Sequence, residues 1–474
     1  MTHSTDYLII GAGAVGLAFA DTLLDEDKDC TVTFVDKHAR PGGHWNDAYG
    51  FVALHQPSAS YGVNSLPFAN EHVDTRGHNA GMQALATGTE VLAYFGEAMQ
   101  RLLDTGRAAY FPLSEWRDGT IVALLSGEET AVEVRRKTVD ATFYQTSVPS
   151  THKRQFGESG GVEVVPPGEL MHLWKRDALP EHYTILGAGK TAMDTAVWLI
   201  EAGVKPGAIS WVRPRESWLL NRASVQPSED GFTRAMDWQL SHLECAEAAQ
   251  DGAEWMAAMA ERGHFVRIDE SAEPQMYHYA TISEGEIERT RRIGNVIRDG
   301  RVTGIEPGRL RFAGSEVAVP ENTLFIDCTA TAVPFEAQDR SRPLFAGDSI
   351  LLQPLHVPLV TFSAAVAAFI EANYEGDETK NALATPAPLT DTPLTYPYAY
   401  LMTMKNRGAW QQDAKMGAFL SRSRLDPMGP TVAAMVAENN PKLASLGKMA
   451  AAIPAAMPHI MRLGMQAKAL HEAR

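Results

Sequence analysis

The chain has 474 residues, 45% of them apolar and 21% charged, which is the composition of an ordinary globular protein with two or three domains. The chain has 42 Lys and Arg residues and 58 Asp and Glu residues, and the resulting formal net charge of −16 argues against a nucleic-acid partner. The three cysteines, Cys30, Cys245 and Cys328, have neither the spacing of a Cys-x-x-Cys redox pair nor that of metal ligands.

The first predicted elements are a strand, a glycine-rich turn and a helix near the start of the chain. In Gly11-Ala-Gly13-Ala-Val-Gly16, Gly11 permits a tight turn, Gly13 lets a pyrophosphate approach the backbone and Gly16 allows close helix packing. The next predicted strand, 31–35, ends in Asp36, whose carboxylate suits a ribose diol and repels a 2′-phosphate. The pattern predicts a dinucleotide site; the alternative is a glycine-rich loop that serves packing alone.

A long irregular segment follows, from Arg40-Pro-Gly-Gly-His-Trp45 to about residue 79, and loops of this length are usually functional. Apolar residues at helical spacing then predict a helix over 89–103. Short alternating strands are expected between 109 and 143.

A second glycine turn, Gly187-Ala-Gly189-Lys-Thr191-Ala, follows an apolar strand and predicts a second dinucleotide site. The strand after it, 208–212, ends in Arg213-Pro-Arg215. Two guanidiniums suit a 2′-phosphate, so NADPH is favoured over NADH at this site. The alternative is that these arginines only solvate the end of the strand.

The remaining chain is less informative. A polar, helix-rich insertion at about 228–262 has no assigned role, and apolar strands reappear near 324 and 343. From about 374 a linker leads to a Met- and Ala-rich helical tail, which we expect Pro454 and Pro458 to break. The tail could cap a site, join a dimer or rest on a membrane surface; a packed structural appendage is favoured.

These elements predict an α/β fold with two Rossmann-like dinucleotide-binding domains, the second inserted in the first, plus a helical C-terminal tail. The expected division is 1–165 for the first part of the FAD-binding domain, 166–320 for the NADPH-binding domain, 321–373 for completion of the FAD-binding domain and 374–474 for the linker and tail. Without a signal peptide or a bilayer-spanning apolar run, we expect a cytoplasmic protein.

Over about residues 6–370 the chain resembles the flavin-containing (class B) FAD- and NADPH-dependent monooxygenases and related two-dinucleotide-domain flavoproteins. The resemblance depends on both glycine turns, on Gly42-Gly43-x-Trp45, on Thr191-Ala-x-Asp194 and on Ala346-Gly347-Asp348. One departure is the segment 152–161, where the family's Phe-x-Gly-x-x-x-His fingerprint lacks its histidine.

The resemblance implies roles for individual residues. Gly43 and Trp45 would line the flavin, Asp348 would bind its ribityl chain or pyrophosphate edge, and a helix beginning at 358–364 would point its positive end at the ring. Asn64 would lie near the reactive edge, unless it only caps its loop. His55 is the first choice among the loop histidines for a proton donor, ahead of His44 and His356.

The implied activity is that of an FAD-dependent, NADPH-consuming monooxygenase, which oxygenates a nitrogen, sulfur or carbonyl carbon of a small organic substrate with O₂ through a C4a-hydroperoxyflavin. The alternative is an NADPH-dependent flavoprotein reductase or dehydrogenase that does not insert oxygen. The substrate is not indicated, and a homodimer is left open.

Overall fold

The computed structural model describes residues 2–70, 72–331 and 342–473. The strands, in chain order, are β1 (His3–Ile10), β2 (Val32–Val35), β3 (Ala108–Phe111), β4 (Ser114–Arg117), β5 (Thr120–Ala123), β6 (Glu129–Asp140), β7 (Gly157–Glu158), β8 (Glu163–Val165), β9 (His182–Leu186), β10 (Ile209–Val212), β11 (Leu219–Asn221), β12 (Phe265–Val266), β13 (Thr281–Ile282), β14 (Asn295–Ile297), β15 (Gly304–Glu306), β16 (Arg309–Arg311), β17 (Glu316–Ala318), β18 (Thr323–Asp327), β19 (Phe345–Ala346) and β20 (Ser349–Leu351).

The helices are α1 (Ala14–Glu26), α2 (Gly88–Asp104), α3 (Lys190–Glu201), α4 (Glu229–Ala248), α5 (Gly252–Glu261), α6 (Glu284–Thr290), α7 (Val360–Asn373), α8 (Asp377–Leu383), α9 (Tyr396–Gln412), α10 (Ala414–Arg422), α11 (Gly429–Ala437) and α12 (Ala444–Glu472). The helix predicted over 89–103 is α2, which begins with a capping box formed by Thr87 and Glu90. The helix expected to begin at 358–364 is α7.

The first sheet has the strand order β19-β20-β6-β1-β2-β3, with the β4–β5 hairpin attached to β6. The strands from β20 to β3 run parallel, and Ile10, the last residue of β1, is level with Val35 on one side and Asp140 on the other. Helices α1 and α7 pack along each other in its main apolar core. Because the strands end level, one edge of this sheet gathers all their carboxyl ends, where parallel α/β proteins bind ligands.

The second sheet, in the order β14-β10-β9-β18-β8, is parallel throughout. Along the chain, all its strands come after β6 and before β19, which both belong to the first sheet. This arrangement confirms the predicted fold class, in which the second Rossmann-like unit interrupts the first. Two smaller sheets, β12-β11-β13 and β17-β16-β15-β7, flank it.

The insertion at 228–262 forms α4 and α5, and α4 packs against the C-terminal helix α12. Ala456, Ile460 and Leu463 of α12 share an apolar cluster with aromatic side chains of the insertion and of α9. Trp255 of α5 and Tyr400 of α9 have ring centroids 5.2 Å apart, and Tyr400 stacks on His242 of α4 at 4.5 Å. The insertion and the tail therefore form one packed body.

The expectation that Pro454 and Pro458 break the tail is wrong, because both lie inside the continuous helix α12. Both prolines are exposed, so the carbonyl that each leaves without an N–H donor can be hydrated. The opposite side of α12, which carries Ala456, Ile460 and Leu463, is buried. Packing along that side keeps the helix continuous through the prolines.

Candidate active site

The first glycine turn joins β1 to α1 at the carboxyl edge of the first sheet. Gly11 has a φ of +99°, which favours glycine, and a side chain on Gly16 would collide with the Gly11 carbonyl. Gly13 is the N-cap of α1 and provides no side-chain cap. The first amides of α1 are thus available to an anionic group, as a dinucleotide pyrophosphate requires.

The Gly-Gly pair packs directly on this turn. The Gly42 amide donates a hydrogen bond to the Ala12 carbonyl at 2.9 Å. A Cβ on Gly13 would lie 3.4 Å from the Gly43 Cα, so the two backbones are in contact. The structure brings these predicted residues together, and only glycine leaves their shared surface open.

Asp36 lies at the end of β2, beside the turn, and is 7% exposed. Its Oδ2 accepts the Ala12 amide at 2.6 Å, and its Oδ1 accepts both the backbone amide of His38 at 2.7 Å and its ring Nδ1 at 2.8 Å. The His38 Nε2 contacts Asp47 Oδ2 at 2.9 Å. Hydrogen bonds to these two carboxylates raise the pKa of His38 to about 9. Sequence reasoning missed His38, although the Asp-x-His spacing was available.

Trp45 is buried, and its indole N–H donates to the Tyr61 hydroxyl at 3.0 Å. The neighbouring His44 stacks against it, with ring centroids 5.5 Å apart. Burial lowers the pKa of His44 to about 4, so its ring is neutral near pH 7. The Gly42–Trp45 segment is therefore fixed between the glycine turn and the apolar core.

Asn64 lies beside the C-terminal half of α1. Its Nδ2 donates to Thr22 Oγ1 at 3.0 Å, and its Oδ1 accepts the Ser423 hydroxyl at 2.8 Å. Thr22 belongs to the C-terminal half of α1, roughly 12 Å along the axis from the helix start. The amide joins the loop to α1 and to the tail, which matches the capping alternative.

Asp348 also lies away from the turn. It is exposed in the tight connection between the antiparallel strands β19 and β20. Its carbonyl accepts the Thr138 amide, and β20 then runs parallel to β6. Asp348 is consequently at the amino edge of the sheet, about 10 Å from the carboxyl edge that carries the glycine turn. The hairpin, which reverses the chain just before the parallel strand, gives Asp348 this position, away from the glycine turn.

The second glycine turn connects β9 to α3. Gly187 has a φ of +116°, and a Cβ there would lie 2.7 Å from the Cys328 carbonyl oxygen. Gly189 is the N-cap of α3, and a Cβ on it would meet open space. Thr191 follows in the first turn of the helix, beside Tyr49. This N-terminus too is free to take a pyrophosphate.

Arg213 is placed differently from the expectation. It is 3% exposed, lies over the Trp211 ring at 5.0 Å and pairs with Glu216 Oε2 at 3.2 Å. Burial outweighs that carboxylate and lowers the pKa of Arg213. Its contacts are thus directed into the protein, and the Arg-x-x-Glu spacing was the sequence signal for this. Arg215 is exposed, as is Arg298, which follows β14 on the adjacent strand.

A buried polar network joins the irregular loop to the second unit. The Tyr49 hydroxyl donates to Asp194 Oδ2 at 2.7 Å, and the Lys190 ammonium binds Asp194 Oδ1 and, at 3.0 Å, Glu286 Oε1. Glu286 Oε2 in turn pairs with Arg222 at 2.7 Å. Sequence reasoning missed these residues; the helical i, i+4 spacing of Lys190 and Asp194 was the signal available for two of them.

His55 lies against this network, and its carbonyl accepts the Arg222 Nε–H at 3.1 Å. Burial lowers the pKa of His55 to about 4, so the imidazole is neutral near pH 7. Burial also opposes the charge on Lys190, yet Asp194 and Glu286 outweigh it and raise the pKa of Lys190. The network is a set of charged partners with a neutral histidine beside it.

The N-terminus of α7 lies at the same edge of the first sheet, after β20. Ser363 accepts the amides of Leu355 and His356 at 3.0 and 3.1 Å, which fixes the turn that precedes the helix. In the part of the chain that the structure describes, the buried His356 Nδ1 has no hydrogen-bond partner. Burial lowers the pKa of His356 to about 3. A neutral ring nitrogen without a partner beside a helix N-terminus fits a polar aromatic cofactor such as flavin.

A cavity of about 320 Å³ opens beyond the ends of β6 and β20. Its wall is largely apolar, with polar groups near the end of α12; it includes Phe143, Gln353, Pro354, Leu389, Tyr398 and His471. The cavity is large enough for a small organic molecule.

Cys30, Cys245 and Cys328 are all buried and unpaired. In the described ranges, each helix is too short or too polar to cross a membrane. The same part of the chain holds no group of three or more His, Cys, Asp or Glu side chains that could bind a metal ion.

Comparison with known proteins gives the family. A family model described as a NAD(P)-binding Rossmann-like domain matches residues 9–98. Over 426 residues, the chain is 40% identical to the uncharacterized protein Rv2000 of Mycobacterium tuberculosis and equally to Mb2023 of Mycobacterium bovis, covering 90% of this chain and 78% of each relative.

Among solved structures, polycyclic ketone monooxygenase from Thermothelomyces thermophila superposes with a TM-score of 0.52 at 12% identity, covering 99% of this chain and 88% of that one. The likeness confirms the fold that the resemblance to flavin-containing monooxygenases implied. The chain therefore belongs to the protein family of Rv2000 and Mb2023, on a fold that it shares with polycyclic ketone monooxygenase.

Proposed function

We propose that the chain is an FAD-dependent, NADPH-consuming oxidoreductase that transfers oxygen from O₂ to a small organic substrate. The observation that carries this proposal is the pair of open glycine turns, each at the carboxyl edge of a parallel sheet. One loop touches both units, through Gly43 at the first turn and Tyr49 at α3. Two facing dinucleotide sites are what hydride transfer from a nicotinamide to a flavin requires.

The first site suits FAD. Gly11, Gly13 and Gly43 leave the pyrophosphate a surface of bare backbone beside the α1 N-terminus. Asp36 has one acceptor position left for a ribose hydroxyl after its three hydrogen bonds. At the far side, His356 Nδ1 is available to accept a hydrogen bond.

The second site suits NADPH. Gly187 and Gly189 shape the turn, and the α3 amides with Thr191 face the pyrophosphate. For the 2′-phosphate we favour the exposed Arg215 and Arg298 over the buried Arg213. When bound, FAD supplies hydride acceptance from NADPH and the reduction of O₂.

His55 holds a neutral imidazole where the loop meets the second unit. Such a ring donates a hydrogen bond through one nitrogen and accepts one through the other, without adding positive charge. We place the organic substrate in the cavity beside Gln353 and Leu389, where a largely apolar wall would contact it and a few polar groups would orient it.

The test uses purified protein loaded with FAD. NADPH is added anaerobically, the reduced protein is mixed with oxygenated buffer, and product and peroxide are measured with a panel of ketones, sulfides and amines. The proposal predicts flavin bleaching by NADPH and an oxygenated product formed in step with NADPH consumption.

The other outcomes are equally decisive. Failure to retain FAD overturns the assignment of the first site, and failure to bleach with NADPH overturns that of the second. Bleaching with all oxygen released as peroxide for every substrate overturns oxygen insertion and supports the reductase alternative.

A further inference from the structure

A short path of contacts runs from one glycine turn to the other. It begins at Gly43, whose backbone touches Gly13 in the first turn. The same segment continues to Tyr49, whose hydroxyl donates to Asp194 Oδ2 at 2.7 Å. Asp194 belongs to α3, one helical turn after Lys190, the first residue of that helix. One loop and one hydrogen bond thus connect the two turns directly.

The Tyr49–Asp194 contact is held rigidly. Tyr49 is 8% exposed, and burial together with the Asp194 carboxylate keeps the pKa of its hydroxyl well above the usual range, so it remains a donor. The second oxygen of Asp194 binds Lys190, whose ammonium is also held by Glu286. With both oxygens engaged, the carboxylate has one orientation.

Two further contacts fix the loop against the second unit. The Phe51 ring stacks on Trp198 of α3, with centroids 4.9 Å apart. The buried Arg222 donates to the His55 carbonyl at 3.1 Å and to Asn79 Oδ1 at 3.1 Å. These contacts keep the loop docked when the Tyr49 hydroxyl alone is removed. We therefore expect Tyr49→Phe to shift the loop relative to α3 and to leave the protein folded.

We propose that Tyr49 is a positioning residue that, through Asp194, sets the alignment of the second dinucleotide with the first. The proposal rests on the proposed function, because it concerns transfer between two bound dinucleotides. Hydride transfer requires donor and acceptor atoms at about 3–3.5 Å, and a misplacement of about 1 Å can cost on the order of 100-fold in rate. A residue that fixes the spacing acts on the transfer rate and leaves each binding site intact.

The test compares Tyr49→Phe with Tyr374→Phe. Tyr374 is a matched control because its hydroxyl donates to Asp413 Oδ1 at 2.6 Å, far from both glycine turns in the sequence. Anaerobic stopped-flow reduction at increasing NADPH concentrations separates the limiting rate from the Kd. Hydrogen–deuterium exchange of the nucleotide-free proteins over 44–56 and 190–201 provides a readout that needs no activity.

For Tyr49→Phe we expect a limiting reduction rate at least about 10-fold lower, with a Kd within about twofold of wild type. Exchange should rise in 44–56, while Tyr374→Phe leaves both properties unchanged. If Tyr49→Phe does not fold, Asp194→Asn, which keeps the side-chain shape, should show the same split between rate and Kd.

The inference is overturned by a wild-type limiting rate in the folded Tyr49→Phe protein, or by an equal loss of rate in the control. A rise in Kd alone would also overturn it, since Tyr49 would then act on binding. If NADPH does not bleach the wild type, the proposed function fails; if wild type bleaches and the variant matches it, only this inference fails.

Discussion

Gly13 and Gly43 are in direct backbone contact: a Cβ on the first would lie 3.4 Å from the Cα of the second, and the reverse distance is 3.1 Å. One glycine belongs to the turn after β1 and the other to the loop after β2. Together they form one surface without side chains at the α1 N-terminus, where an extended anionic group can lie against the amides.

Gly43→Ala should therefore weaken FAD binding. Gly43 has a φ of +55° and its new Cβ would press on Gly13, so we expect at least about tenfold lower FAD affinity, or about 1.4 kcal/mol. Gly106→Ala is the control, because Gly106 has a φ of +70° and open space around it. FAD content after gel filtration measures the effect; equal losses in both variants would show that backbone strain alone is responsible.

The Asp36–His38–Asp47 contacts predict a pH dependence of stability. The folded-state pKa of His38, about 9, lies above the unfolded value of about 6.5. Its stabilisation is fully present below pH 6.5 and is lost as the pH rises through about 9, and for a partly exposed ring we expect about 1 kcal/mol. Between pH 7 and 10 the Tm of wild type should fall more steeply than that of His38→Asn. Parallel curves would contradict the assignment.

Arg213→Ala should lower the stability of the folded protein. It removes the 3.2 Å ion pair of the buried Glu216, which keeps only the backbone amides of Ile268 and Asp269 and the Arg298 guanidinium at 3.8 Å. Breaking a buried pair in this way typically costs about 3–5 kcal/mol. A thermal melt should show a large fall in Tm, partly restored in the double variant Arg213→Met/Glu216→Leu. A stable Arg213→Ala protein with a selective loss of NADPH affinity would instead indicate that Arg213 binds the 2′-phosphate.

Arg298→Ala tests the exposed arginine. Because its guanidinium is 40% exposed, pairs mainly with Asp269 and lies 3.8 Å from Glu216, its removal should change the Tm little compared with the loss of Arg213. The Kd for NADPH should rise about tenfold and that for NADH should not change, since only the former carries the 2′-phosphate. Fluorescence titration of both nucleotides measures this; equal changes would exclude a phosphate contact.

Leu389→Trp should fill the cavity beyond β6 and β20. We expect product formation to fall at least about tenfold and peroxide release to rise, while anaerobic reduction by NADPH keeps its rate. Leu394→Trp is the control, because Leu394 is an exposed apolar residue and does not line the cavity. Unchanged substrate oxidation in Leu389→Trp would place the substrate elsewhere.

The two glycine turns and their strands could be predicted because the signal is local. Gly11 and Gly187 need backbone angles that follow from the turn itself, and the apolar runs before them are buried strands of parallel sheets. The same holds for α2, where the apolar spacing and the capping box lie within one segment. The fold class followed from the order of these elements.

The sequence could not show contacts that depend on partners elsewhere in the chain. Asn64 is held by Ser423 from the tail, which no pattern around Asn64 reveals. Asp348 was displaced by a hairpin of very short strands. The network of Tyr49, Arg222 and Glu286 joins residues far apart in the sequence, so only the folded arrangement brings their charges together.

The contact between α4 and α12 has a consequence for synthesis in the cell. The aromatic surface of α4 and α5, including Trp255, is completed by the last helix of the chain. At roughly 5–20 residues per second, the ~180 residues between them take roughly 10–40 s to translate. During that time the nascent chain exposes this apolar surface to solvent. Deletion of the tail should therefore first appear as aggregation during expression.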